Sequence, residues 1–278
     1  MRLRVLAAML PAVVAGASAA AQDLPLAPVK EFGQTVTPAF EGWYKNPDGS
    51  FSISFGYFNR NEKEQLDIPI GPNNNVSPGD ANQGQPTHFH PRRHWGVFAV
   101  RVPADFGDKK VTWTINFRGK TYAISGSLNP KWEIDALQGE VGSNNTPPAI
   151  RFDSAGAAAR GPGGMFGPPM RTKVGQPLSL TVFATDDGTA VKGIANDGRS
   201  NAGVSLMWFK HQGAGDVAFA NAMLTAMAPA GKASTTATFS APGDYILRIR
   251  ANDASGVEAA GHAQCCWTNG FVKVTVTP

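Results

Sequence analysis

The sequence predicts an all-β protein with two antiparallel β-sandwich domains in tandem after a cleaved signal peptide. Short segments alternate apolar and polar residues with the period of two that is typical of half-buried strands. The 278 residues include 31 Gly and 21 Pro, which end strands and form turns. No window repeats apolar residues at the spacing of about 3.6 residues that an amphipathic helix requires. These three observations together favour a β-rich chain without long helices.

Residues 1–21 have the features of a secretory signal peptide. Arg2 and Arg4 carry the positive charge at the start, residues 5–15 form a short apolar run, and small residues precede a cleavage position after Ala21. The apolar run is far shorter than the roughly 20 residues of a transmembrane helix. We therefore expect an exported protein, periplasmic or extracellular, with no membrane span of its own.

The charge balance argues against nucleic-acid binding. The chain has 25 Lys and Arg against 21 Asp and Glu, and removal of Arg2 and Arg4 with the signal peptide would leave 23 against 21. No long basic run with interleaved aromatic residues accompanies this near-neutral balance. Nucleic-acid-binding domains need such a basic surface, so we expect no nucleic-acid partner.

The first predicted domain covers residues 24–143. Residues 51–57 form its clearest strand, and residues 66–70 form a partner strand that Pro69 would confine to a sheet edge. A polar loop is expected at residues 71–86. Further strands are predicted at residues 95–102, 111–117 and 121–125. Regularly spaced short strands of this kind are typical of a sandwich or barrel.

The second predicted domain covers residues 144–278. Its opening, residues 144–150, contains consecutive prolines and predicts an extended, semi-rigid hinge. Residues 155–170 are a Gly-, Pro- and Ala-rich tract that we expect to be a disordered insert, because its side chains can bury little apolar surface.

Residues 237–253 are the most informative stretch of the chain. A strand ends at Phe239, Pro242 and Gly243 supply a turn, and Tyr245 begins a second strand with alternating apolar residues. The pattern predicts a β-hairpin of an antiparallel sandwich.

These features resemble Ig-like repeats of the polycystic-kidney-disease (PKD) and cadherin-like type. The resemblance covers residues 144–278 and implies an Ig-like sandwich that serves as a spacer or interaction surface. It also implies a strand with its acidic exit turn at residues 177–188, further strands at residues 204–208 and 271–276, and Trp208 as the core tryptophan. The sequence departs from the PKD pattern after the core tryptophan, where residues 210–213 read Lys-His-Gln-Gly instead of an Asp- and Gly-rich turn. The first domain shows no such resemblance.

His88, His90 and His94 form a candidate metal site. In an extended backbone, His88 and His90 project from the same face, and three imidazoles can bind copper or zinc. Alternatively, these residues belong to a polar loop that leads into the next strand. The adjacent Arg92 and Arg93 favour this second interpretation, because guanidinium groups repel a cation and suit an anion or carboxylate.

Cys265 and Cys266 are the only cysteines, so neither has a distant partner within the chain. A vicinal disulfide between them would be strained. The alternatives are two reduced thiols packed beside Trp267, an intermolecular bond, or a metal corner that includes His262. The sequence leaves these alternatives open.

Acidic residues follow two of the predicted strands. Asp186 and Asp187 end one strand and Asp253 ends another. The cadherin-like resemblance implies that such turns can bind calcium with the help of backbone carbonyls. The dense Asp-x-Asp pattern of those sites is missing, which favours solvated turns.

Several large aromatic residues could form a flat platform for sugar rings. The alternative is that they belong to the sandwich cores, as most large aromatic residues do in such folds. The candidates are Trp43, Tyr44, Trp95, Trp132 and Trp267.

The sequence contains no Gly-x-Ser-x-Gly elbow, His-Glu-x-x-His helix, phosphate-binding loop or dinucleotide fingerprint. We therefore predict a non-catalytic structural or accessory protein without a cofactor. It would dock onto an extracytoplasmic protein or the outer face of a membrane complex. The alternatives are a carbohydrate-binding module that binds polysaccharide, and a copper- or zinc-binding periplasmic protein.

Overall fold

The computed structural model describes residues 30–134, 146–187, 203–226, 231–252 and 267–278. The expected signal peptide, residues 144–145 of the expected hinge, Asp253, His262 and the Cys265–Cys266 pair lie outside the described residues. In the part of the chain that is described, no helix reaches the length and apolarity needed to cross a membrane.

The first domain is a sandwich of antiparallel sheets. One sheet has the strand order β1-β2-β6, a second has the order β4-β7-β8, and β3 pairs with β5. The strands are β1 Val36–Lys45, β2 Phe51–Asn59, β3 Leu66–Asp67, β4 Asn74–Ser77, β5 His88–Phe89, β6 Arg92–Val102, β7 Val111–Phe117 and β8 Lys120–Gly126, followed by a 3₁₀ turn at Pro130–Trp132.

Aromatic residues from both sheets fill the core of the first domain. The fully buried Trp113 of β7 packs edge-on against Phe98 of β6 and Phe55 of β2, with ring centroids 5.0 and 6.2 Å apart. Phe55 and Phe98 stack on each other at 5.5 Å. Edge-to-face and offset arrangements are the favourable geometries for such rings, so this cluster ties the two sheets together.

Two local predictions for the first domain are wrong. The strand predicted at residues 66–70 does not pair with β2, which lies between β1 and β6; only β3 forms there, and it pairs with β5. The stretch predicted as a polar loop at residues 71–86 contains β4, which pairs with β7. Asn74 of β4 is fully buried, and its amide is satisfied there because it donates to the carbonyls of Ile68 and Pro86.

The second domain is also an antiparallel sandwich. One sheet has the order β14-β16-β12-β9, and the other has the order β10-β18-β17-β13-β15, with β11 pairing in parallel with β18. The strands are β9 Ala149–Arg151, β10 Met165–Phe166, β11 Met170–Lys173, β12 Leu178–Thr185, β13 Val204–Gln212, β14 Val217–Phe219, β15 Met223–Ala226, β16 Lys232–Phe239, β17 Gly243–Asn252 and β18 Trp267–Thr277. This is the strand arrangement of an Ig-like domain. The predicted all-β class and tandem sandwiches are confirmed, and Trp208 is a core residue with 2% of its surface exposed.

The predicted hairpin around Pro242 is wrong, because β16 and β17 belong to different sheets. Their connection is a tyrosine corner. The buried Tyr245 hydroxyl donates to the Ala241 carbonyl at 2.7 Å and accepts the Gly215 amide at 3.0 Å. Such a corner is a feature of Ig-like sandwiches. Alternation of apolar residues identifies the buried face of each strand, but it does not identify the sheet to which the strand belongs.

Residues 155–170 have defined hydrogen bonds, in contrast to the predicted disordered insert. Ala159 and Ile150 exchange two backbone bonds of 3.0 Å, and the Gly161 amide donates to the Thr268 hydroxyl at 2.9 Å. β10 then pairs with β18. The tract needs few apolar side chains of its own, because neighbouring strands supply its partners.

The prolines of the expected hinge are packed against the second domain. Pro147 and Pro148 are buried, and the Pro148 carbonyl accepts a hydrogen bond from the Thr268 hydroxyl at 2.5 Å. These described hinge residues therefore do not form a solvated spacer.

Candidate functional site

The candidate site lies where the two domains meet, and we call it the junction. The first domain contributes Asp67 and residues 82–96, and the second contributes the end of β13, the second half of β17 and the start of β18. In β17, Leu247 and Ile249 alternate with Arg248 and Arg250, yet all four are buried. A strand is buried on both faces only when each face is covered, so the charged face of β17 lies inside the molecule.

Three consecutive residues at the end of β13 hold the loop of the first domain. The His211 ring nitrogen Nε2 lies 2.7 Å from the Gly84 carbonyl, and the His211 carbonyl accepts the Thr87 amide at 2.9 Å. The Gln212 amide donates to the Gln85 carbonyl at 2.6 Å, and Lys210 Nζ donates to Asp67 Oδ1 at 3.1 Å. These three residues lie in the Lys-His-Gln-Gly stretch, residues 210–213, which supplies the first set of contacts between the domains.

Asn269 forms the second set of contacts across the junction. Its fully buried amide donates to the carbonyls of Gly96 at 2.6 Å and Pro162 at 2.7 Å, and its oxygen accepts from Arg248 at 3.1 Å. Gly96 has a φ of +47°, and a Cβ added to it would lie 2.4 Å from the ring of Trp267. Only glycine suits this position, because both the backbone conformation and the contact exclude a side chain.

Four histidines line the junction. The rings of His88 and His90 have centroids 4.7 Å apart, and those of His90 and His94 are 5.9 Å apart. His90 and His94 also pack against Phe209 of β13, with centroid distances of 5.2 and 5.7 Å. The structure therefore brings together the three histidines of the predicted metal site, and it adds an aromatic ring from the other domain.

Burial keeps three of these histidines neutral. Burial, together with the charges of His88 and Arg248, lowers the pKa of His90 to about 3. Burial and the charge of Arg248 lower the pKa of His211 to about 3, and the same causes hold the pKa of His94 well below its usual value. Neutral imidazoles fit a buried site because an unpaired buried charge is costly.

Arg248 supplies a buried positive charge. Only 2% of its surface is exposed, and its guanidinium lies 4.4 Å from the centre of the Phe209 ring. Burial lowers the pKa of Arg248 to about 9, an effect that Tyr57 opposes and Arg250 reinforces. The group therefore stays protonated at neutral pH, stabilised by the aromatic face and by Asn269.

Two carboxylates lie near the junction, and each has basic partners. Burial alone would raise the pKa of Asp67. The hydrogen bonds and charges of His88 and Lys210 outweigh burial, so the pKa of Asp67 is lowered overall. Burial raises the pKa of Glu41, against the opposing charge of Arg93, whose guanidinium lies 2.5 Å away. Both carboxylates are therefore engaged in ion pairs.

The predicted metal site stays a prediction. His88 is engaged at both ring nitrogens, by Asp67 at 2.8 Å and Gln65 at 2.9 Å. His90 Nε2 and His94 Nδ1 are buried without a hydrogen-bond partner, which leaves two nitrogens for a ligand. Within the described residues, no group of three or more His, Cys, Asp or Glu side chains is arranged to hold a metal ion.

The candidate residues outside the junction give no further site. Asp187 accepts a hydrogen bond from Thr146 at 2.6 Å, and calcium binding at Asp186 and Asp187 stays a prediction. The candidate sugar platform is mostly core, since Trp43 and Trp267 are at most 8% exposed. Trp95 is half-buried under Arg93, and Trp132 is half exposed but packs against Phe40.

The residues of the second domain that build the junction were not predicted. Arg248, Arg250 and Asn269 have the alternating spacing of residues on a solvent-facing strand surface. Local sequence therefore gives no signal that the first domain covers them.

Neither a protein-family profile nor a curated protein matches the chain. Among solved structures, the chain is similar to domains 4 and 5 of the S-layer protein SbsC, with 12% identity, a TM-score of 0.26, and coverage of 62% of this chain and 66% of that one. A domain fragment of intimin gives 10% identity, a TM-score of 0.26, and coverage of 87% and 100%. The titin domains Z1Z2 in complex with telethonin give 10% identity, a TM-score of 0.24, and coverage of 88% and 98%. These low scores carry no argument about function, so the Ig-like assignment rests on the strand order and the tyrosine corner.

Proposed function

We propose that the chain is an exported, non-catalytic binding protein that docks onto another extracytoplasmic protein or the outer face of a membrane complex. The observation that carries this proposal is where the histidines and the charged and polar side chains of the junction lie. Lys210, His211 and Asn269 are buried and bond to the first domain. The half-buried His90 and His94 pack against Phe209 of the second domain. Their burial favours an architectural role over a catalytic one.

The chemistry of the junction agrees with this proposal. A nucleophile would need a neighbouring base within hydrogen-bond reach. Among the described residues, the ring nitrogens of His88, His94 and His211 contact carboxylate, amide or carbonyl oxygens, and none bonds to a Ser, Thr or Cys side chain. The resemblance to PKD and cadherin-like repeats, which serve as spacers and interaction surfaces, supports a docking role.

Gentle extraction of the tagged chain from the cell envelope, followed by mass spectrometry of the intact complex, tests the proposal. We expect a second protein in a fixed ratio to the chain. Elution of the chain alone at its calculated mass would overturn the docking function and favour a glycan- or solute-binding protein.

A copper- or zinc-handling protein is the second candidate function. The unpartnered nitrogens of the neutral His90 and His94 favour it, whereas the neighbouring positive charge of Arg248 opposes it. The same spectrum tests it, because a bound copper ion would add about 64 mass units. The double variant His90→Ala and His94→Ala should then lose the added mass.

A further inference from the structure

The sheet of the second domain that contains β12 has an incomplete edge. β9 pairs with β12 only along Phe183–Thr185, whereas β12 extends back to Leu178. On its other side, β12 is paired with β16 from Leu178 to Phe183. Residues 178–182 of β12 therefore have a strand neighbour on one side only, among the residues that the structure describes.

The pairing pattern shows which backbone groups face this open edge. The Ala184 amide donates to the Gly231 carbonyl on the β16 side, at 2.8 Å, and the Thr236 carbonyl accepts the Ala220 amide on the far side of β16, at 3.0 Å. Thr236 is the register partner of Ser179, and its carbonyl points away from β12. The Ser179–Thr236 pair therefore exchanges no hydrogen bonds between β12 and β16. Because such pairs alternate along antiparallel strands, the N–H and C=O groups of Ser179 and Thr181 face the open edge.

A cavity of about 260 Å³ lies beside these two residues. Most of its walls are apolar. They consist of Phe152, Pro168, Met170, Leu180, Trp208 and Val272, with Ser179 and Thr181 on the β12 side. The volume far exceeds the roughly 30 Å³ that one water molecule occupies, so the cavity has room for a large apolar side chain.

Trp208 also lines this cavity, so its ring forms part of the apolar wall. Its side chain is 98% buried, and its indole Nε1 has essentially no accessible surface and no hydrogen-bond partner. The ring of Trp208 therefore offers the cavity an apolar contact.

The strands that frame the cavity carry a positive charge. Residues 149–173 include Arg151, Arg160, Arg171 and Lys173 but only one acid, Asp153. Arg171 and Lys173 are exposed on β11, directly beside the cavity residue Met170. The charge favours a partner with acidic residues.

We propose that an extended, acidic segment of the partner protein adds to the open edge of β12 as an extra strand. Its backbone pairs with Ser179 and Thr181, and one large apolar side chain fills the cavity beside Trp208. Strand addition uses main-chain bonds for affinity and side-chain pockets for specificity. This inference rests on the proposed docking function and identifies its surface.

A synthetic peptide tests the proposal on the full mature chain. The probe is acetyl-Glu-Thr-Val-Thr-Phe-Thr-Val-Thr-Glu-amide, and the readout is NMR of the backbone amides and indole N–H groups. We expect shifts at the amides of Ser179 and Thr181 and at the Trp208 indole. A peptide with Asp in place of its Phe should not bind. Absence of binding by the Phe peptide, or binding without these shifts, would overturn the proposal.

Matched proline variants locate the binding edge. Ser179→Pro removes an N–H that faces the open edge, and affinity for the peptide should fall at least about tenfold because a ladder bond is lost. Ser234→Pro is the control, because Ser234 is also exposed and its N–H faces away from β12. The control should keep the affinity within about twofold. Equal losses in both variants would contradict the proposal.

Two further measurements separate this inference from the docking function. Trp208→Phe reduces the apolar wall that would contact the peptide's Phe, and it should weaken peptide binding about threefold even if Ser179→Pro does not fold. Unchanged binding would show that the Phe side chain does not enter the cavity and would overturn the proposal. In the envelope extraction, retention of the partner by both wild type and Ser179→Pro would leave docking intact and reject this edge. Loss of the partner from wild type as well would reject docking itself.

Discussion

The junction and the open edge of β12 lie in the same domain and differ in how their polar groups are used. At the junction, charged and polar side chains are buried, and Lys210, His211, Gln212 and Asn269 each bond to the first domain. At the open edge, the cavity walls are mostly apolar, and the groups without described partners are the backbone N–H and C=O groups of Ser179 and Thr181. The junction is therefore closed by contacts within the chain, whereas the edge is suited to a contact with another chain.

The largest effect is expected from Asn269→Ala, which removes the side chain at the centre of the junction. It leaves the carbonyls of Gly96 and Pro162 and a guanidinium N–H of Arg248 without their partner. At about 1–3 kcal/mol for each unsatisfied buried group, partly relieved by water, we expect a loss of about 3–5 kcal/mol in the free energy of unfolding. Urea unfolding measures it, with the half-buried Asn116→Ala as control, which breaks a single hydrogen bond to the Pro72 carbonyl and should lose about 1 kcal/mol. A similar small loss for both variants would show that the junction contributes little to stability.

Gly96→Ala tests the close packing of the junction. The new Cβ would collide with the Trp267 ring and would occupy a backbone conformation with φ of +47°. We expect a loss of about 2–4 kcal/mol from overpacking and backbone strain. Gly49→Ala is the matched control, because Gly49 has a φ of +85° with nothing within 4 Å, and it should lose about 1 kcal/mol. Thermal unfolding of both variants decides the point, and equal losses would contradict the close packing.

The junction should make stability depend on pH, whereas the cavity residues beside the open edge carry no titratable side chain. Since the pKa of His211 falls from 6.5 to about 3 on folding, the unfolded chain binds more protons in this range. Stability contributed by neutral His211 is therefore present above pH 6.5 and is lost as the pH falls towards 3. Each such histidine adds about 1.4 kcal/mol per pH unit to the slope.

The variant His211→Gln isolates this contribution, because a Gln side chain can still donate to the Gly84 carbonyl. Urea unfolding between pH 6 and pH 4 should give a slope smaller by about one proton than that of wild type. Identical slopes would mean that His211 is protonated in the folded protein.

The smallest effect is expected from Trp208→Phe at the open edge. The lost indole N–H has no partner, so the variant should lose only packing, about 1 kcal/mol. Trp113→Phe in the first domain is the reference, because the Trp113 indole donates to the buried Asn74 oxygen at 2.9 Å. Its loss should exceed that of Trp208→Phe by about 1–3 kcal/mol. Calorimetry measures the loss of stability in the two variants. Equal losses would show that the Trp208 indole has a hydrogen-bond partner in the folded protein.

Much of the strand content follows from local alternation, and the sheet assignment does not. The patterns at residues 51–57 and 111–117 predicted β2 and β7, because one buried face leaves a period of two. The pattern around Pro242 was equally clear, but it predicted a hairpin within one sheet, whereas the chain forms a corner between two sheets. A turn between sheets and a turn within one sheet use the same residues, and only long-range pairing separates them.

The junction was less predictable than the fold. The alternation of Arg248 and Arg250 with Leu247 and Ile249 indicates a solvent-facing surface for an isolated domain. The first domain covers that surface in the folded chain, and local periodicity carries no information about such a cover. The close approach of His88, His90 and His94 was predicted, because the three residues are near each other in sequence, whereas Phe209 and His211 come from the other domain.

Residue-resolved hydrogen exchange of the free mature protein tests the central claim most directly. The amides of Thr87 and Gly213, which donate to the His211 carbonyl and the Thr87 hydroxyl across the junction, should exchange slowly. In β12, the amides of Leu180 and Val182 should be slow and those of Ser179 and Thr181 fast. Equally slow exchange at all four β12 amides would contradict an open edge, and exchange at Thr87 as fast as at Ser179 would contradict a closed junction.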